Sequence, residues 1–310
     1  MQLTAFRQKL KPWMLPLAML TGIILHNYIG YVAFLSKYLI FIMLLITYCR
    51  VSLRDFRVGA YIWWPLALQI GGAILAYILI RPLSPILAQG AFICIFCPTA
   101  TAAPVITGML GGKVSRVATY SLLSHISVAL LAPLLLSWIA DGTQAATHIT
   151  FTESVSEIGI TVLPLILGPL VIALMMQRFA PKAHNAVATH QGLSFYIWAF
   201  ALIIVVGNSV SFILCEPIEM APEILMLAAI SLATCIFQFA MGRLIGRRYG
   251  DRISTSQSLG QKNTVLAIWL TLTYLNPIIS VAPAAYVAWH NTFNSLQIYR
   301  HEKLKKPMKT

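Results

Sequence analysis

Charge is scarce in this chain, and acidic charge most of all. Of 310 residues only 10% are Asp, Glu, Lys or Arg, and Asp and Glu together number nine. A soluble globular domain carries about 25% charged residues, so that class is excluded. The net charge of +13 does not restore a nucleic-acid-binding reading. The cations fall in short clusters between apolar runs instead of forming one patch. Catalytic signatures are missing as well. There is no nucleotide-binding Gly-rich loop ending in Lys-Ser/Thr, no His-Glu-x-x-His and no Gly-x-Ser-x-Gly. ATP drive within the chain and most intramembrane enzymes are thereby disfavoured, and no cofactor is expected. The five cysteines are odd in number, so no disulfide framework is implied. Cys94-x-x-Cys97 has redox spacing, but no second pair or nearby His completes a site, and both read as small packing residues.

What the chain does have is apolar length: 58% of its residues are hydrophobic. A membrane helix needs about 20 mostly apolar residues. Ten spans are expected, near 13–32, 35–50, 58–80, 86–110, 115–139, 158–177, 193–214, 222–245, 254–275 and 278–298. The cations test this count. Nineteen of the 22 Lys and Arg fall in alternate connections and the tail, and only Lys37 and Arg81 fall in the others. Positively charged loops stay in the cytoplasm. The expectation is an integral protein of a bacterial inner membrane, with both termini cytoplasmic and the lipid bilayer as its surroundings. No nucleic-acid partner is expected.

One cation remains. Lys262 lies in Ser258-Leu259-Gly260-Gln261-Lys262-Asn263-Thr264, about ten residues past Arg252. At 1.5 Å per residue that is roughly 15 Å of helix, close to mid-bilayer. No Asp or Glu lies at comparable depth in any span. An unpaired ammonium there costs roughly 2.5–3.5 kcal/mol on insertion scales, so its default reading is functional.

Residues 1–140 hold spans one to five, 141–157 form an outer connection, 158–299 hold spans six to ten and 300–310 form a basic tail. Five spans is an odd number, so the second half enters with opposite orientation, as in an inverted repeat. Each half carries a polar, interrupted segment in its fourth span. The first is Cys97-Pro98-Thr99-Ala100-Thr101-Ala102-Ala103-Pro104, where Pro98 and Pro104 each remove a backbone donor. The second centres on Gly260 and Lys262. Interrupted segments at matching places in two halves are the best sequence pointer to a transporter's binding site. Candidate site residues there are Thr99, Thr101, Thr107, Ser258, Gln261, Lys262 and Asn263. Elsewhere, Ser121 and His125 share a helix face in span five. His125 reads either as a proton carrier near Lys262 or as a histidine bonded to a neighbouring hydroxyl. His290 and Asn294 put polar groups on one face of span ten.

These segments resemble the bile acid/sodium symporter family. Arg50–Arg57 is similar to the family's stretch after its second helix. Cys97-Pro98 through Thr107, followed by Gly111-Gly112-Lys113-Val114, resembles its first crossing-helix motif. Leu259–Ala267 resembles the second, Glu-x-Gly-x-Gln-Asn-x-x-Leu-Ala. The resemblance implies an all-α fold of ten helices in two inverted five-helix repeats, with broken fourth and ninth helices crossing near mid-membrane. It also implies which positions would ligate sodium, and there the chain departs. The family's Ser-Asn pair falls on Ala103 and Pro104, its Glu on Ser258 and its Gln on Lys262. A Ser-and-Thr pair in span five falls on Val117 and Ser121. No metal is therefore expected at these positions. The expected function is secondary transport of an organic anion, a carboxylate or bile-acid-like solute, without the usual sodium sites. Proton coupling, and sodium coupling through other ligands, stay open as alternatives, as does a non-transporting sensor.

Overall fold

The computed structural model describes residues 14–49, 59–100, 102–140, 151–189, 191–215 and 217–305. Among them the protein is helical with no strand beyond one isolated bridge. In chain order the α-helices are α1 (Met14–Ile24), α2 (His26–Ile29), α3 (Leu35–Cys49), α4 (Ala60–Ile80), α5 (Pro85–Phe96), α6 (Ala103–Met109), α7 (Val114–Ala140), α8 (Phe151–Phe179), α9 (Pro181–Thr189), α10 (Gln191–Cys215), α11 (Ala221–Arg248), α12 (Arg252–Gly260), α13 (Thr264–Tyr274) and α14 (Val281–Lys305). Four helical stretches among the described residues are long and apolar enough to cross a membrane: Ala60–Ile80, Val114–Ala140, Phe151–Phe179 and Ile218–Arg248. His26–Val32 and Leu35–Cys49 make a fifth if counted as one span bent by 73°. With its apolar composition, this makes the chain an integral, all-α membrane protein.

Boundaries differ from the sequence expectation where polar residues are helical. α8 begins at Phe151, inside the stretch read as the outer connection. Between α8 and α10 lies α9, a short helix that hydropathy does not reveal because Lys182, His184 and Asn185 dilute it. The first expected span is not one rod but α1, α2 and a 3-10 turn at Gly30–Val32.

The helices pack in two groups. In the first, α10 packs on α1 and α3, and α3 packs on α8; α4, α5, α11, α12 and α14 form the second group, with α7 packed along α8 between them. Helix α12 packs on α11, α7, α6 and α4 and is unusual in composition. Its sequence is polar, yet every residue from Ser254 to Gly260 is buried. Glycine makes this possible. A Cβ on Gly242 of α11 would lie 2.6 Å from the Ser256 Cα, so the two backbones touch where a side chain would part them. The contact is sealed by Ser256, whose Oγ donates to the Phe239 carbonyl at 2.9 Å.

Candidate functional site: two broken helices stitched together

Helix α5 is launched by Ser84, whose Oγ accepts from the Leu87 amide at 3.3 Å, with Pro85 in the first turn. It stops at Phe96 because the residue before a proline is driven into the extended region. Cys97, preceding Pro98, has φ −54° and ψ 147°. Pro104 plays the opposite part from the one expected. It occupies the first turn of α6, where a missing amide costs nothing, so it starts a helix instead of breaking one. The second break needs no proline. Helix α12 ends on Gly260, Gln261 is extended at φ −92° and ψ 119°, and Asn263 caps α13 by accepting from the Leu266 amide at 3.2 Å.

The broken ends leave backbone groups without helical partners, and in a bilayer each must be satisfied internally. They are satisfied by each other. The Asn263 amide donates to the Pro98 carbonyl at 2.8 Å, and the Ala100 amide donates to the Gln261 carbonyl at 3.1 Å. Thr99 and Lys262 face each other across this antiparallel bridge. Thr99 Oγ1 adds a bond to the Ser258 carbonyl at 2.7 Å.

Lys262 is 1% exposed, and its Nζ donates to the Ile95 carbonyl at 2.7 Å. That carbonyl is one of the unpaired four at the C-terminal end of α5. A cation is favoured there by the helix dipole. The Cys94 and Cys97 thiols lie near enough to interact electrostatically with the ammonium, and no carboxylate is placed against it among the described residues.

Two glutamines complete the junction. Gln69 of α4 is fully buried. Its Nε2 donates to the carbonyls of Phe96 (2.7 Å) and Cys97 (3.2 Å), and its Oε1 accepts from Tyr120 Oη (2.6 Å) and Ser124 Oγ (2.9 Å). Gln238 of α11 donates to the Cys94 carbonyl at 3.1 Å and to Tyr286 Oη at 3.0 Å, while Tyr286 donates to the Gly260 carbonyl at 2.9 Å. Gln69 is flagged in the sequence only through an approximate match to a ligand position of the resembled family, and Gln238 and Tyr286 are absent from the sequence-derived candidates. The signal that could have found them is a lone glutamine inside an otherwise apolar run, since such a group must find partners for both donor and acceptor.

The remaining candidates divide. Gln261 donates to Gln257, which donates to Gln297 at 3.0 Å, so this pair continues the polar junction toward α14. Thr107 is buried but bonds the Ala103 carbonyl of its own helix at 2.8 Å. Ser121 is buried and gives its carbonyl to His125 Nδ1 at 2.7 Å. His125 thus bonds a carbonyl of its own helix, not a neighbour's hydroxyl. Its ring packs edge-on against Tyr48 of α3, with centroids 5.9 Å apart. His290 packs edge-on against Tyr286 at 5.5 Å, and Asn294 is buried one turn further along α14. Two buried polar atoms, His290 Nδ1 and Asn294 Oδ1, have no partner among the described residues. At the crossing itself the same holds for Asn263 Nδ2 and Thr264 Oγ1. Ala103 and Val117 are buried and offer no side-chain oxygen. Thr101 lies outside the described residues.

Comparison with known proteins follows the same line. The "Probable sodium/metabolite cotransporter BASS1, chloroplastic" of Oryza sativa subsp. japonica is 23% identical over 214 residues, 67% of this chain and 50% of that protein. The chain thus spans half the length of that curated relative. The model of the Sodium Bile acid symporter family matches residues 37–215, which include the first break and end before the second. Because this match extends over more than half of the 310 residues, the chain belongs to the Sodium Bile acid symporter family, a family of membrane transporters.

Proposed function

We propose that this protein is a secondary transporter of an organic anion, a carboxylate or bile-acid-like solute, that works without the sodium sites of its family. The observation that carries the reading is Lys262: a buried ammonium, bonded to the open end of α5, at the crossing of two broken helices. A fixed cation there disfavours a sodium ion and favours an anion. Two unit charges 4 Å apart repel by about 4 kcal/mol at an effective dielectric of 20. Ten spans in two inverted five-helix repeats, 1–140 and 158–299, joined by an outer connection at 141–157, would place the two breaks at equivalent positions. Alternating access would come from rocking one helix group against the other. Thr99, Thr101, Ser258, Gln261, Lys262 and Asn263 form the centre of the proposed site, with Thr107, Ser121, His125, His290 and Asn294 around it. The unpartnered Asn263 Nδ2 supports this, because a donor kept free at a helix N-terminus suits a carboxylate.

A second reading is sodium symport through other ligands. It is favoured by the family description and by the name of the rice relative. The two readings separate in proteoliposomes. A panel of organic anions is screened by thermal shift with NaCl or KCl, and stabilising anions are followed as radiolabelled uptake. Our reading expects equal uptake in the two salts and at least a tenfold loss on Lys262→Ala. A saturable, stoichiometric sodium requirement would replace it with the second reading.

A further inference from the structure

A small cavity lies beside α12, on the side facing α4 and α7, away from the Lys262 bond to α5. Its polar lining is Tyr61, Arg116, Tyr120, Ser254, Thr255 and Ser258. It has room for about one water-sized particle. Its hydrogen-bonding capacity is unbalanced. Tyr120 and Thr255 spend their protons on Gln69 and on the Asp251 carbonyl. Ser254 Oγ already accepts from the Lys113 amide at 2.7 Å, so its own proton is free. Ser258 is 4% exposed and places its side chain in the lining. Arg116 is held by Asp251 through Nη1 at 3.0 Å and by the Tyr61 ring at 4.4 Å. A guanidinium has five N–H donors, which leaves four. The carboxylate of Asp251 is occupied twice, by Arg116 and by the Ser254 amide at 3.2 Å. Two exposed cations flank this pair, Lys113, whose amide reaches Ser254, and Arg252, next to Asp251 in the chain. A lining with spare donors and surplus positive charge suits an acceptor that carries negative charge. The size admits one atom.

We propose that this cavity is a binding site for a single small inorganic anion, chloride. Ser258 Oγ, Ser254 Oγ and Arg116 are its donors. The connection of the site to the buried ammonium is indirect. Ser258 is bonded through its carbonyl to Thr99, which pairs with Lys262, and no carboxylate lies against Lys262 among the described residues. The inference does not depend on the transport reading, since anion binding is measured without a substrate.

The test uses the full chain in detergent at constant ionic strength, with chloride or bromide exchanged against gluconate. Chloride and bromide are each expected to raise the thermal midpoint by about 2 °C or more. Ser258→Ala and Arg116→Gln are expected to abolish that rise. Crystals grown in bromide are expected to show an anomalous peak within hydrogen-bond reach of Ser258 Oγ and Arg116. Ser258→Ala decides the solution arm if Arg116→Gln does not fold, and the diffraction arm needs no variant. A midpoint indifferent to halide, an equal shift in wild type and Ser258→Ala, or a cavity holding water only would overturn the proposal.

Discussion

Gln69 is the residue on which the first break depends most. It is a single side chain with four hydrogen bonds, two to carbonyls released by the break and two from hydroxyls of α7. Removing it leaves those partners buried without it, and each unsatisfied group costs about 1–3 kcal/mol. Gln69→Leu has nearly the right volume and none of the bonds. It should lower stability by roughly 3 kcal/mol or more, read as a fall in the detergent melting midpoint. Gln69→Glu, whose neutral carboxyl keeps the acceptor and one of the two donors, should fall between. Lys262 is subject to opposing terms. Its desolvation is expensive, but its bond to Ile95 fills a carbonyl that no helix turn reaches. Lys262→Gln should therefore leave the midpoint nearly unchanged, within about 1–2 kcal/mol, while Lys262→Ala empties the space and orphans the carbonyl. A large destabilisation by Lys262→Gln would show that the ammonium itself holds the junction. Lys262 was legible in the sequence because charge at depth is rare. The role of Gln69 was not, because nothing along the chain shows that Phe96 and Cys97, 27 and 28 residues away, are its partners.

At the scale of the element, α12 shows why hydropathy misleads. By composition it belongs at a surface, and it lies inside. The compensation comes from its neighbours. Gly242 lets α11 approach, and Phe239, stacked on Phe293 at 5.4 Å, lies against Gly260. A Cβ on Gly260 would meet the Phe239 ring at 2.5 Å. Gly260→Ala should therefore destabilise by about 1–3 kcal/mol, and adding Phe239→Leu should recover part of the loss. If the double variant were no better than the single one, the backbone at Gly260 would be the constraint, not the ring. The two interruptions could be read from Pro98 and from the run of polar residues before Asn263. The part of Pro104 could not. A proline is equally visible whether it ends one helix or opens the next, and only the lost amide's position relative to the turn decides.

At the scale of the molecule, the distribution of cations predicts orientation. Arg243, Arg247, Arg248 and Arg252 lie around the end of α11 and the start of α12, and Arg300 and Lys303 near the end of α14. By the positive-inside rule these ends are expected to face the cytoplasm. A green fluorescent protein fused after Thr310 should fluoresce, and alkaline phosphatase fused there should be inactive. The opposite pattern would invert the topology and with it the side from which the Arg116 cavity is reached. The sequence made the class of fold readable, because apolar length and loop charge are properties of the chain taken in order. The grouping of helices was not readable, since it depends on which faces meet, and buried faces here are as apolar as those that meet lipid.

The two backbone bonds that join the breaks have a consequence for how the protein is made. Pro98 and Ala100 leave the ribosome about 160 residues before their partners Gln261 and Asn263. During that interval the first break has open amides and carbonyls and nothing of its own kind to close them. In hydrocarbon such groups are costly. The nascent first half must therefore wait in a hydrated or chaperoned setting, or as an unbroken helix that opens late. Assembly of the junction is completed from the C-terminal third of the chain. A ribosome that stalls before Gln261 releases a chain whose first break lacks its partner, a natural target for membrane proteases.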